Sequence, residues 1–179
     1  LSNRQLRLLF YAAWLILLLM QCALVGLRGD EAYYWRYSRQ LAWGYFDHPP
    51  LIALLTKAGY LLFKNELGVR IFFALMVTGF IYVTERLVNP SNLRLFYIIV
   101  LSVAFLQIGM VWGGGMMALP DFPLLFFEVS FFFLYQRYFE RPTFAVYVSI
   151  PIVVALMLLS KYHGLLVIGF VVLSNFRLL

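Results

Sequence analysis

LRLLFYAAWLILLLMQCALVGL, residues 6–27, carries one charge, Arg7 at its start, and runs straight into Arg28-Gly29-Asp30-Glu31-Ala32-Tyr33-Tyr34-Trp35. At 1.5 Å per residue the apolar stretch makes a helix about 33 Å long, enough to cross the roughly 30 Å hydrocarbon core of a bilayer. It exceeds the apolar region of a signal peptide and no small-residue cleavage site follows it, so it reads as a retained helix. The change at residue 28 is abrupt. Residues 28–66 are too polar to cross, and they gather Asp30, Glu31, Asp47 and His48 with the rigid Pro49-Pro50 pair.

The rest of the chain repeats the first motif. It is 64% hydrophobic and 12% charged, against roughly 45–50% and about 25% in soluble domains. Further spans are expected at Gly68–Val88, Leu93–Trp112, Phe122–Tyr138, Thr143–Leu159 and Tyr162–Phe176. The fold class is therefore an all-α membrane protein, a multi-spanning bundle of about six transmembrane helices without an internal domain boundary. With no initiator methionine and no domain after Asn175, the chain reads as the N-terminal part of something longer. Cys22 is the single cysteine, which excludes an intramolecular disulfide. The +6 formal charge is scattered among loops, a pattern that suits lipid headgroups and not nucleic acid, which calls for a clustered basic face.

Six spans put residues 28–66, 113–121 and 160–164 on one side, and 85–94, 137–142 and both termini on the other. Lys and Arg divide evenly: Arg28, Arg36, Arg39, Lys57, Lys64, Arg70 and Lys161 against Arg4, Arg7, Arg86, Arg94, Arg137, Arg141 and Arg177. The positive-inside rule leaves the orientation open. Within the first loop two amphipathic helices are expected. One places Tyr34, Tyr37 and Leu41 opposite Arg36, Arg39 and Gln40. The other starts at Pro50 and lines up Leu51, Leu54, Leu55, Ala58 and Leu62 opposite Thr56, Lys57, Tyr60 and Lys64. Too short to span, both are expected to lie along the interface, apolar face down, forming a polar shelf at headgroup level.

Such a shelf suits glycosyl transfer from a lipid carrier. The carrier's tail stays in the bilayer, its phosphate sits among the headgroups, and the acceptor hydroxyl arrives from water. A carboxylate takes the hydroxyl proton as the sugar is transferred, and cations hold the departing phosphate. Four motifs sharpen this. Gly-Asp-Glu-Ala-Tyr-Tyr-Trp (29–35), Tyr-Phe-Asp-His-Pro-Pro-Leu (45–51), Leu-Pro-Asp-Phe-Pro-Leu-Leu-Phe-Phe (119–127) and Leu-Ser-Lys-Tyr-His-Gly (159–164) resemble, in that order, the bacterial branch of the protein-mannosyltransferase-like family. These are multi-spanning C-type glycosyltransferases related to the enzyme that adds aminoarabinose to lipid A. The resemblance implies a first loop facing the periplasm of a bacterial inner membrane, a polyprenyl-phosphate-linked sugar as donor, and inversion at the anomeric centre. The acceptor would be a lipid, a glycan or a protein. It also implies several hundred further residues, often with a C-terminal periplasmic domain.

The resemblance assigns Asp30 as the base that takes the acceptor proton; the plain alternative is an N-cap for the helix that follows. Glu31 is expected to bind a nearby cation, substrate or helix start. Asp121, between Pro120 and Pro123, is the family's second acid, facing Asp30 across the cavity to bind donor, acceptor or a cation; otherwise it caps the fourth span. Asp47 and His48 suit substrate contact or a loop-locking hydrogen bond. They are weak evidence for zinc, which needs three or four ligands. Lys161 is expected to grip the lipid phosphate, against the alternative of an interfacial lysine snorkelling to headgroups. Tyr33 and Arg36 complete the substrate-binding set, and Arg39 and Lys57 are lesser cation candidates. No cofactor is required, because cations suffice for a monophosphate leaving group; a divalent metal is compatible with the chemistry. Glu128, inside the fourth span, has no assigned role. Gly113-Gly114-Gly115 reads as a turn, since no Lys-Ser/Thr follows it. The competing class is a transporter or flippase of lipid-linked sugars, which calls for inverted repeats and polar sites near the midplane. A non-catalytic scaffold subunit is the third reading.

Overall fold

The computed structural model describes residues 2–109 and 117–175. Among the described residues there are eight helices and no strand: α1 (Asn3–Leu24), α2 (Gly29–Arg39), α3 (Leu51–Leu62), α4 (Glu66–Val88), α5 (Leu93–Gly109), α6 (Asp121–Glu140), α7 (Phe144–Ser160) and α8 (Gly164–Ser174). The end of the expected span Leu93–Trp112, the Gly113–Gly115 turn and the last residue of Tyr162–Phe176 lie outside the described residues.

Local chemistry sets the boundaries. Ser2 and Gln5 form a reciprocal capping box, so α1 begins three residues before the expected Leu6. Asn65 accepts from the Gly68 N–H (3.2 Å) and starts α4, and Thr143 accepts from the Val146 N–H (3.4 Å) and starts α7. Asn89 ends α4 in the left-handed region, at φ 46°, a conformation that asparagine tolerates better than most residues.

Among the described residues two helices, α1 and α4, are long and apolar enough to cross a membrane. Only 17% and 33% of their most apolar windows are buried, whereas a core helix of a water-soluble protein would be mostly enclosed. Leu8, Ile16, Leu17 and Leu24 stand exposed along α1. Of the other four expected spans, α5 is apolar over its 17 described residues, α7 and α8 are apolar but shorter, at 17 and 11 residues, and α6 has 20 residues with Glu128 in its course.

Helix α4 is the hub, packed along α1, α3 and α6, while α7 packs on α6. Trp14, Leu18 and Cys22 of α1 meet Ala74 and Ile81 of α4 in one buried cluster; Leu51, Leu124, Phe127 and Met157 tie α3, α6 and α7 in another. A third, made by Tyr34, Ile52, Val69, Phe73 and Ala118, lies beneath the first loop. Both loop helices exist, but their faces differ from expectation. Leu51, Ile52, Ala53, Thr56 and Gly59 form the buried side of α3, while Leu54 and Leu62 are exposed. The cause is a close crossing on α4: Gly59 and Gly68 touch backbone to backbone, and a Cβ on either would run into a carbonyl oxygen of the other. Small residues therefore choose the packed face, and Thr56, expected outside, is enclosed. On α2 the buried residues are Glu31, Tyr34 and Ser38, and Leu41 lies beyond the helix, exposed.

Candidate active site

The site gathers at the ends of five helices, and its foundation is a buried charge. Arg70 stands one turn into α4, and Glu31 in the first turn of α2; both side chains are fully enclosed. Arg70 Nε donates to Glu31 Oε1 (2.6 Å) and Nη2 to Oε2 (2.6 Å), the bidentate fork that suits a guanidinium to a carboxylate. The remaining donors of Arg70 turn to the end of α1. They reach the carbonyls of Cys22 (3.2 Å) and Gly26 (2.9 Å), and also that of Val25. All five guanidinium N–H groups are thus used. Glu31 also accepts from the Arg28 N–H (3.2 Å) and from the Ala118 N–H (2.9 Å).

Asp30 sits beside this pair in the first turn of α2, exposed, and among the described residues it has neither a hydrogen bond nor an ion pair. It is not the N-cap. Arg28 occupies that position, and Glu31 takes up the Arg28 N–H. One helical turn on, Tyr34 O–H meets His48 Nε2 at 2.8 Å, with the two rings 5.1 Å apart. Burial, then the charges of Asp47, Asp30 and Asp121, push the Tyr34 phenol up to about 12. Three carboxylates from three segments therefore converge electrostatically on one phenol. The outer Nδ1 of His48 is buried without a hydrogen-bond partner among the described residues.

The loop between α2 and α3 is laced to α2 by tyrosines. Tyr37 donates to Asp47 Oδ1 (2.7 Å), and the Tyr33 hydroxyl touches that of Tyr37 and lies 3.4 Å from the same oxygen. Desolvation, with these hydrogen bonds, raises the Tyr37 phenol well above its ordinary value. Tyr45 stacks on Tyr37 at 4.0 Å and 8°, and its hydroxyl accepts from the Ala42 N–H (3.2 Å) beside the carbonyls of Tyr37 and Gln40. Asp47 and His48 are thereby held in place, 3.8 Å apart at their nearest polar atoms.

Across the site, Asp121 opens α6, where the helix dipole favours an acid, and Lys161 Nζ reaches its Oδ1 at 2.7 Å from the end of α7. The pair is open to solvent, at 22% and 51% side-chain exposure. Glu128, two turns deeper on the Asp121 face of α6, lies within electrostatic reach of Asp121 and His163. Arg36 is exposed on α2, with no partner among the described residues.

Asp30, Asp47, His48 and Asp121 are thus brought around Tyr34; Tyr33 joins them through Asp47, and Lys161 through Asp121. Glu31 is placed inside the protein with its carboxylate fully engaged, and Arg36 stands apart. Two residues escaped the sequence reading. Tyr34 is expected only on an amphipathic face, and nothing in residue order marks it out among the tyrosines of the loop. Arg70 enters the sequence reading only among the cations of one side, although an arginine inside an apolar helix calls for a partner. Among the described residues no three His, Cys, Asp or Glu side chains lie close enough to hold a metal ion.

A family model described as dolichyl-phosphate-mannose-protein mannosyltransferase matches residues 47–178, well over half of the chain. No curated protein and no solved structure matches it. The matched residues begin at Asp47 and carry His48, Asp121 and Lys161 in the site; Asp30 and Glu31 lie upstream of them. The chain belongs to this family of membrane glycosyltransferases.

Proposed function

We propose that this chain forms the acceptor-activating side of a glycosyltransferase that takes its sugar from a polyprenyl phosphate and inverts the anomeric centre. The acceptor hydroxyl gives its proton to Asp30 while its oxygen bonds to the anomeric carbon. The bond from that carbon to the phosphate oxygen breaks, and the lipid monophosphate leaves with the electron pair. Lys161 exchanges Asp121 for the leaving phosphate, with Asp121 and Asp47 lining the cavity and His48, Tyr33 and Arg36 meeting substrate. A divalent metal is compatible with this scheme but has no preformed cluster of ligands. In this reading α1, α4, α5, α6, α7 and α8 cross a bacterial inner membrane, α2 and α3 lie at its periplasmic face, and the acceptor is a lipid, a glycan or a protein.

The observation that carries the reading is the state of Asp30. Glu31 is buried and engaged, Asp47 is bonded to tyrosines and Asp121 is paired with Lys161. Asp30 alone among these acids is exposed with no hydrogen-bond or ion-pair partner among the described residues, the condition a general base needs. The test follows label leaving a polyprenyl-phosphate sugar in membranes holding the full-length protein, wild type or Asp30→Asn, at matched expression. The expected loss is about a hundredfold or more. Unchanged transfer by Asp30→Asn would remove Asp30 as the base. No transfer by the wild type would return the transporter reading to first place.

A further inference from the structure

Arg70 and Glu31 hold more than each other. Through its carbonyl contacts Arg70 ties the end of α1 to α4, and through Glu31 it ties the start of α2. Glu31 extends the tie to residue 118, by the Ala118 N–H. From there the chain turns tightly into α6: Leu119 N–H bonds to the Met117 carbonyl (3.0 Å) and Phe122 N–H to that of Leu119 (3.3 Å). Asp121 lies on this turn. Asp30 is the residue before Glu31, with its Cα about 3.8 Å from the Cα of Glu31. One buried pair is therefore the joint between the segment bearing Asp30 and the segment bearing Asp121.

A buried ion pair is a weak source of stability, because two desolvated charges do no better than well-packed apolar side chains of the same volume. An apolar contact, however, has no direction. A forked guanidinium with all donors used fixes distance and angle for each segment it touches. We infer that the Glu31–Arg70 pair is a positioning device, which sets where Asp30 and Asp121 stand relative to each other. The inference rests on the reading of Asp30 as the base. Neither Glu31 nor Arg70 touches substrate in this account; both act through the carboxylates they place.

Two variants of the full-length protein test it, assayed in membranes with labelled polyprenyl-phosphate sugar. Arg70→Lys keeps the charge and loses the fork. An ester at residue 118, introduced as the α-hydroxy analogue of alanine, replaces one N–H by oxygen and leaves both charges paired, so it folds even where the arginine variant does not. The ester is expected to insert at wild-type level and to lower kcat about tenfold, the scale of one hydrogen bond to a charged group, with KM for the donor little changed. Arg70→Lys is expected to lower kcat on the order of a hundredfold, as misplacement of a reacting group by about 1 Å does. Each loss should vanish on an Asp30→Asn background, because a positioning residue has nothing left to place. An unchanged kcat in the ester, or losses that multiply with that of Asp30→Asn, would overturn the inference. Full transfer by Asp30→Asn would instead overturn the assignment of the base.

Discussion

Tyr34 is the residue on which the site's electrostatics are most visible. Its hydroxyl shares a hydrogen bond with His48 Nε2, and Nδ1 of the same ring faces no partner among the described residues. Tyr34→Phe keeps the ring and strands Nε2 as well. The expected cost is about 1–3 kcal/mol, that of an unsatisfied buried polar group, read from thermal unfolding in detergent. The same phenol makes a signed prediction in alkali. Its value is near 12 in the fold, against 10 for a free tyrosine. Below pH 10 the phenol is protonated in both states and its contribution is intact. Between about pH 10 and 12 the unfolded chain releases this proton and the folded one keeps it, so stability falls as pH rises. Wild type should therefore lose more stability across that window than Tyr34→Phe, and equal losses would show that burial and the nearby acids Asp47, Asp30 and Asp121 do not act on the phenol as placed. None of this was readable from residue order. Asp30, Asp47 and Asp121 stand out as acids beside prolines or glycine, but a tyrosine among several gives no sign of which one three distant carboxylates will surround.

At the scale of elements, the helices themselves were legible and their faces were not. Apolar runs of the right length place α1, α4, α6 and α7 within about three residues of the expected boundaries, since hydrophobic period and capping residues act locally. The face of α3 was read from its large side chains, and the structure turns it to follow the small ones. In a close crossing the backbones approach where side chains are absent, and larger residues are pushed to the flanks. Gly59 and Gly68 mark that approach. Gly59→Ala and Gly68→Ala should each separate α3 from α4 and cost about 1–3 kcal/mol or more, the scale of overpacking without room to adjust. Gly29, whose added Cβ meets nothing within 4 Å, is the control: Gly29→Ala should be neutral or stabilising by up to about 1 kcal/mol. Thermal unfolding of the three variants checks the order. Because α3 carries the Pro49-Pro50 end of the loop that holds His48, the two crossing variants should also weaken the Tyr34–His48 contact, which Gly29→Ala leaves alone.

Seen as a whole, the molecule fastens its first helix at both ends by buried charges on α4. Arg70 does this near the start of α4, and Glu85 near its end, 15 residues and about 22 Å further along. Glu85 is 2% exposed and accepts from Arg7 Nε (2.5 Å), Tyr11 O–H (2.8 Å) and Tyr97 O–H (2.8 Å). It therefore joins α1, α4 and α5 at the end remote from Asp30, where Phe10 also stacks on Tyr97 at 3.9 Å. Partners 39 and 78 residues apart in the chain leave no periodic trace, which is why neither joint is legible in the sequence. The joints differ in what they can do. The Arg70 joint carries the site; the Glu85 joint carries only the packing of helices, and its partner Arg7 is 43% exposed. Glu85→Ala removes a buried charge and leaves two tyrosines and an arginine without their acceptor, so it should destabilise by about 3–5 kcal/mol. Arg7→Ala leaves Glu85 with both tyrosine donors and should destabilise far less than Glu85→Ala, because the arginine is open to solvent. Below its unfolding temperature, Glu85→Ala should still transfer sugar with a kcat close to wild type, while the ester at residue 118, which leaves both charges of the Arg70 joint paired, should lose kcat without a comparable loss of stability. Measuring unfolding and transfer on both sets of variants separates a joint that holds the fold from one that aims the chemistry; a parallel loss of kcat in Glu85→Ala would show that the two ends of α4 are coupled.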